Sequence, residues 1–108
     1  MSPDGRRTLR ISEALRSEFG MLLLRDVKDP RLAGLTIAHV EVSADLRRAV
    51  VFFSTLRPAS DEPEIVCGLQ SARGFLRSAA TRSLGLRVSP ELEFRRAPSE
   101  IPDGSEGR

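Results

Sequence analysis

The sequence predicts an α+β fold: a three-stranded sheet with helices packed on it. Two stretches repeat apolar residues every three or four positions, the spacing of one helix face. Three short stretches are dense in β-branched or aromatic residues, as strands are. Their order along the chain, α-β-β-α(α)-β, is mixed, and 108 residues with 40% hydrophobic content suffice for one small domain around one core.

Residues 1–5 are expected to be flexible, 6–97 to form the domain, and 98–108 to be a disordered tail. That last segment holds two prolines, two glycines and three acids. Thr8 is a candidate N-cap. Ile11, Leu15, Phe19 and Leu22 then mark one face of a first helix running to about Arg25. "KDPRLAG" (Lys28–Gly34) reads as a turn, because Pro30 biases Asp29 away from helix. "LTIAHVEVS" (Leu35–Ser43) reads as a strand whose alternation breaks once, and a bulge near Ala38–His39 reconciles its two halves. "AVVFFST" (Ala49–Thr55) is a second strand, close enough to the first for an antiparallel hairpin across "ADLRR" (Ala44–Arg48).

The loop "RPASDEP" (Arg57–Pro63) ends in helix-start chemistry: Asp61 as cap, Pro63 in the first turn, and Glu62 and Glu64 at the positive helix end. Ile65, Leu69, Ala72, Leu76 and Ala79 or Ala80 carry the second helix until the pattern fades at Leu84–Gly85. "ELEFRR" (Glu91–Arg96) is the third strand.

Catalysis has few candidates here. His39 is the sole histidine and Cys67 the sole cysteine, so an internal disulfide is excluded and Cys67 alone cannot make a structural zinc site. His39 reads as a strand residue, Cys67 as a small buried apolar helix residue. The acids lack metal-ligand spacing, and neither a phosphate-binding loop nor a dinucleotide glycine pattern occurs. No cofactor and no enzymatic activity are expected. The longest apolar run near the start is Met21–Leu24, too short for a signal-peptide core or a membrane span, so the protein is expected to be cytoplasmic and away from membranes.

The arginines say more. Formal net charge is +2, but residues 5–97 hold 16 bases against 11 acids, and Lys28 is the only lysine. Codon bias alone gives such a composition; a polyanionic partner, gripped by guanidinium forks, explains it equally well. Arg6, Arg7 and Arg10 flank the start of the first helix. Lys28 and Arg31 surround Pro30, and Arg47 and Arg48 sit in the hairpin. Arg73 and Arg77, four apart, share a helix face. Together they make a nucleic-acid surface credible, one binding by phosphate contact and shape. Gly74 falls about 180° from Ile65 on the helical wheel, facing outward. It permits a kink, or it leaves backbone bare for a phosphate or partner, or it is simply a glycine tolerated on an exposed face.

"DPRLAGLTIAHVEVSADLRRAVVFFS" followed by "LQSARGFLRSAATRSLGLRVSPELEF" resembles bacterial ribosome-binding factor A. The matching residues are Asp29-Pro30-Arg31-Leu32, Gly34, Thr36, Val40, Ser43, Asp45-Leu46 and Ala49. They continue as Leu69, Ala72, Gly74-Phe75-Leu76-Arg77, Leu86-Arg87, Pro90-Glu91-Leu92 and Phe94. One departure is that Phe94 is followed by Arg95-Arg96-Ala97-Pro98, where the family commonly has an aspartate.

The resemblance implies a KH-like (type II) domain, α-β-β-α-kink-α-β. The stretch Ser71-Ala72-Arg73-Gly74 stands where KH domains carry a GxxG loop, and the family kinks its helix there, at Ala72, Arg73 and Gly74. It also implies binding to the small ribosomal subunit and its rRNA during assembly. Further implications are help with late rRNA maturation including 5′-end processing, a link to growth in the cold, and no catalysis. A monomer is expected. Two other readings compete: a protein-interaction module docking through a strand edge or helix face, and a small hydrolase using Cys67 and His39.

Overall fold

Helix α1 (Pro3–Arg25) buries Leu15, Phe19 and Leu22 and half-buries Ile11, the four residues whose spacing predicts it. The computed structural model describes residues 3–98. The helix starts earlier than expected. Pro3–Gly5, the described part of the flexible start expected over 1–5, form its first turn, and Thr8 lies inside the helix rather than at its cap. Thr8 Oγ1 donates to the Gly5 carbonyl at 3.0 Å, the back-bonding open to a threonine within a helix. The tail expected over 98–108 lies, beyond Pro98, outside the described residues.

After α1 the chain makes a 3₁₀ turn at Pro30–Leu32. Asp29 is extended, as a residue before proline must be, and its Oδ1 accepts from the Arg31 amide at 2.9 Å. Strand β1 (Thr36–Val42) then pairs antiparallel with β2 (Arg48–Ser54). The expected bulge is present: Ile37 faces Phe53 and His39 faces Phe52, which leaves Ala38 unpaired. Ile37 and Val40, three apart, both reach the core for that reason.

Helix α2 (Glu62–Leu84) carries the chain back so that β3 (Glu91–Arg96) pairs in parallel with β2, giving the order β1-β2-β3. A parallel pair needs such a crossover. Both helices pack on one face of the sheet. There Phe19, Leu15, Ile65, Leu69 and Leu76 meet Val40, Val51 and Phe53 in a single core. On the other face, His39, Glu41, Val50, Phe52, Glu93 and Arg95 stay uncovered by any described element.

The α+β architecture is as expected, but the division of the second helix is not. α2 runs as one unbroken helix of 23 residues through Ala72, Arg73 and Gly74. Ala72 is buried on the core face and Gly74 is exposed, so the hydrogen-bonded turns continue past the glycine without interruption. Asp61 occupies the N-cap position, yet its side chain makes no capping bond because Oδ2 accepts from Arg57 Nε at 3.0 Å. Gly85 ends the helix with φ 65°, a left-handed value, and the Leu86 amide closes back on Thr81 O at 3.0 Å.

Candidate nucleic-acid interface

Of the ten residues expected to touch nucleic acid, nine are cations and one is Gly74; the cations divide into those held by the fold and those loosely paired or without a partner among the described residues. Arg31 is held. Its guanidinium forks onto Asp29 (Nη2–Oδ2 2.6 Å, Nε–Oδ1 3.0 Å) and reaches Cys67 Sγ at 3.2 Å and Ser71 Oγ at 3.4 Å. Those guanidinium hydrogen bonds, and then the Arg31 amide, hold the Asp29 carboxyl below its ordinary range; Asp29 in turn raises Arg31. Arg31 therefore ties the 3₁₀ turn to α2.

Arg77 is held as well. Nε donates to Pro90 O at 2.9 Å, Nη2 to Ser89 O at 2.8 Å, and Glu91 lies 3.2 Å away. It fastens α2 to the loop entering β3. Of the two arginines expected on one face of α2, only Arg73 is exposed and without an acidic partner among the described residues, while Arg77 is bonded within the fold.

Arg47 and Arg48 are mostly exposed and only loosely paired, with Asp45 at 4.0 Å and Glu93 at 3.7 Å. Arg6, Arg7, Arg10 and Lys28 are exposed and, among the described residues, unpaired. Arg25, Arg82 and Arg87, which are not among the expected contacts, share that condition. Exposure is a tertiary outcome, and nothing in the local sequence separates Arg87 from Arg77.

Position groups these side chains. The hairpin tip, the first turns of α1 and the Gly85–Pro90 loop converge, and Arg7, Leu46 and Arg87 line one cleft between them. Arg47 and Arg48 flank its hairpin wall. Lys28 lies beyond the opposite end of α1, and Arg73 and Gly74 sit midway along α2. Beside Gly74, Phe75 is 47% exposed and lines a shallow pocket with Asp26, Val27 and Ala72. A Cβ placed on Gly74 would meet nothing within 4 Å, so the bare backbone there serves no packing need.

The hydrolase constellation does not assemble. His39 stacks on Phe52 and lies 3.1 Å from Glu41 on the uncovered sheet face, while Cys67 belongs to α2 on the other side of the sheet and is exposed rather than buried as expected, because it lies off the core-facing stripe of Ile65, Leu69, Ala72 and Leu76. Among the described residues no cluster of three or more His, Cys, Asp or Glu could hold a metal, and no helix is long and apolar enough to cross a membrane.

The family model of ribosome-binding factor A matches residues 7–100. The chain belongs to the ribosome-binding factor A family. A member from Nitrosospira multiformis is 43% identical over 94 residues, covering 87% of this chain and 75% of the relative. One from Thiobacillus denitrificans is 39% identical over a similar span. Among solved structures, the chain is similar to ribosome-binding factor A from Thermus thermophilus, with a TM-score of 0.71 and 26% identity over 82% of this chain and 94% of that one. It is similar also to a Thermotoga maritima protein solved in solution, with a TM-score of 0.76 and 32% identity over 94% and 96% of the two chains. A homology model of the Thermus thermophilus factor, fitted into a map of its complex with the 30S subunit, gives a TM-score of 0.60 at 27% identity, over 85% and 96%. The ribosome-binding factor A fold is KH-like, and the order α1-β1-β2-α2-β3 with both helices on one sheet face is its layout in this chain.

Proposed function

We propose that this protein binds the small ribosomal subunit through its rRNA and assists a late step of its maturation, including processing at the rRNA 5′ end. Family membership carries the reading; the arginines of α1, α2 and the Gly85–Pro90 loop that are exposed and unpaired among the described residues support it. The mechanism is differential binding: a protein that fits one rRNA conformation better than another shifts the population toward it and performs no covalent chemistry. It acts in the cytoplasm, as a monomer, and without a cofactor. Its contact set is Arg6, Arg7, Arg10, Lys28, Arg47, Arg48, Arg73 and the bare backbone at Gly74, while Arg31 and Arg77 shape the surface from within.

Sedimentation with free small subunits tests this. The protein should travel with them at low salt and leave them as salt rises, because released counterions drive phosphate binding. A protein that stays at the top of the gradient at low salt, with subunits present, would sink the proposal.

A further inference from the structure

The cleft at the start of α1 has the composition of a nucleotide site. Its volume is about 420 Å³, within the range of roughly 300–1,000 Å³ that small-molecule sites occupy. Ile11, Val42, Leu46, Leu86 and Val88 supply apolar walls. Arg7 and Arg87 stand on its rim, exposed and unpaired among the described residues. Asp45 also lines it, and its Oδ1 accepts from Ser43 Oγ at 2.7 Å and from the Arg47 amide at 3.1 Å.

We propose that this cleft takes one unstacked nucleotide of an RNA strand. The base lies between the apolar walls, the flanking phosphates pair with Arg7 and Arg87, and the Asp45 carboxylate accepts an N–H from the base edge. The inference rests on the RNA-binding reading above and adds to it a position and a chemistry.

The complementarity has three parts. Guanidinium groups fit phosphate oxygens in forked geometry and also stack on base planes. An apolar slot suits a base only when that base is out of its helix, which is the form in which proteins read RNA bases. A carboxylate accepts and cannot donate. Ser43 and then the Arg47 amide hold Asp45 below the ordinary carboxylate range, so it is ionised at neutral pH. Cytosine, adenine and guanine offer an exocyclic amino group to it. Uracil offers only its ring N–H, so the site should favour an amino-bearing base over uracil.

Methyl NMR on the full chain at low salt provides the test. The probes are a single-stranded cytidine hexamer, a uridine hexamer and a blunt RNA duplex. The cytidine hexamer should shift the methyls of Ile11, Leu46, Leu86 and Val88, the uridine hexamer should do so more weakly, and the duplex should leave them still. Ala44→Trp, which fills the cleft from its exposed rim, should weaken cytidine-hexamer binding about tenfold and leave duplex binding unchanged. Where that variant does not fold, Asp45→Asn serves instead and should narrow the cytidine–uridine difference.

Equal methyl shifts with duplex and hexamers would overturn the proposal, as would full hexamer affinity in Ala44→Trp or an unchanged base preference in Asp45→Asn. RNA binding with silent methyls would remove the cleft while leaving the RNA-binding reading in place; no binding of any RNA would remove both. Methyl shifts produced by a small-subunit protein without RNA would assign the cleft to a protein instead.

Discussion

Replacing Gly74 by alanine separates two roles that a glycine on a helix surface can have. Helical backbone with open space around the missing Cβ makes alanine the better residue for the fold. Gly74→Ala should therefore raise stability by about 0.5–1 kcal/mol, read as a higher urea midpoint with unchanged slope. Weaker small-subunit binding by the same variant would place the bare backbone in the contact; a fall in stability would show that the fold needs the glycine. Asp29 makes a second prediction, on pH. Its carboxyl is depressed below 3.8 by the guanidinium hydrogen bonds of Arg31 and then by the Arg31 amide. A depressed acid contributes stability that is present above its unfolded pKa and lost as pH falls through its folded one. The gap in melting temperature between the parent and Asp29→Asn should thus be steady near neutrality and close as pH drops below 3.8. A gap that persists in stronger acid would mean that packing, not charge, holds the turn.

At the scale of elements, the contrast between Arg73 and Arg77 is measurable. Arg77→Ala removes two hydrogen bonds to the carbonyls of Ser89 and Pro90. It should cost about 1–2 kcal/mol, because α2 loses its hold on the approach to β3. Arg73→Ala should stay within about 0.5 kcal/mol of the parent and act only on binding. Equal stability losses in chemical denaturation would contradict this division. Gly68 is the reverse of Gly74. An added Cβ would sit 2.9 Å from Leu32 Cδ2 and 3.2 Å from Arg31 Cβ, so Gly68→Ala should destabilise by about 1–3 kcal/mol.

These contrasts show what local sequence can and cannot express. Periodicity located both helix faces, the hairpin and the third strand, whose observed bounds match those expected, because apolar spacing is a local record of burial. Even the bulge at Ala38 was legible, as a change of parity within β1. Thr8 misled because the same hydroxyl serves as a cap or bonds back within a helix. Gly74 left three readings open, and the unbroken helix agrees with the plainest of them, a glycine that an exposed face tolerates. The holding roles of Arg57 and Arg77 left no mark. Arg57 donates to Arg31 O at 2.7 Å across 26 residues, and no spacing rule spans that distance.

For the whole molecule, the cations without a partner among the described residues are spread over both ends of α1, the middle and end of α2 and the loop before β3. They do not form one focused patch. RNA binding spread in this way should be steeply salt-dependent. With about six phosphates engaged, raising salt from roughly 50 to 200 mM should weaken small-subunit binding about a thousandfold. A flat salt profile in the same sedimentation assay would favour a protein-docking surface, for which the uncovered sheet face is the natural place.

The parallel pairing of β2 with β3 also has a consequence for how the chain comes to be folded. Its central strand is complete by Ser54, but the partner for one edge of that strand begins only at Glu91. Until synthesis passes Arg96, Val51 and Phe53 lack their neighbour and α2 lacks its fastening to the loop at Pro90. An unpaired strand edge invites strands from other chains, and long-range pairing closes slowly. A chain stopped after Leu84 should therefore show no cooperative unfolding and should associate with itself. By this topology the last six-residue strand decides when the first eighty-four residues become a protein.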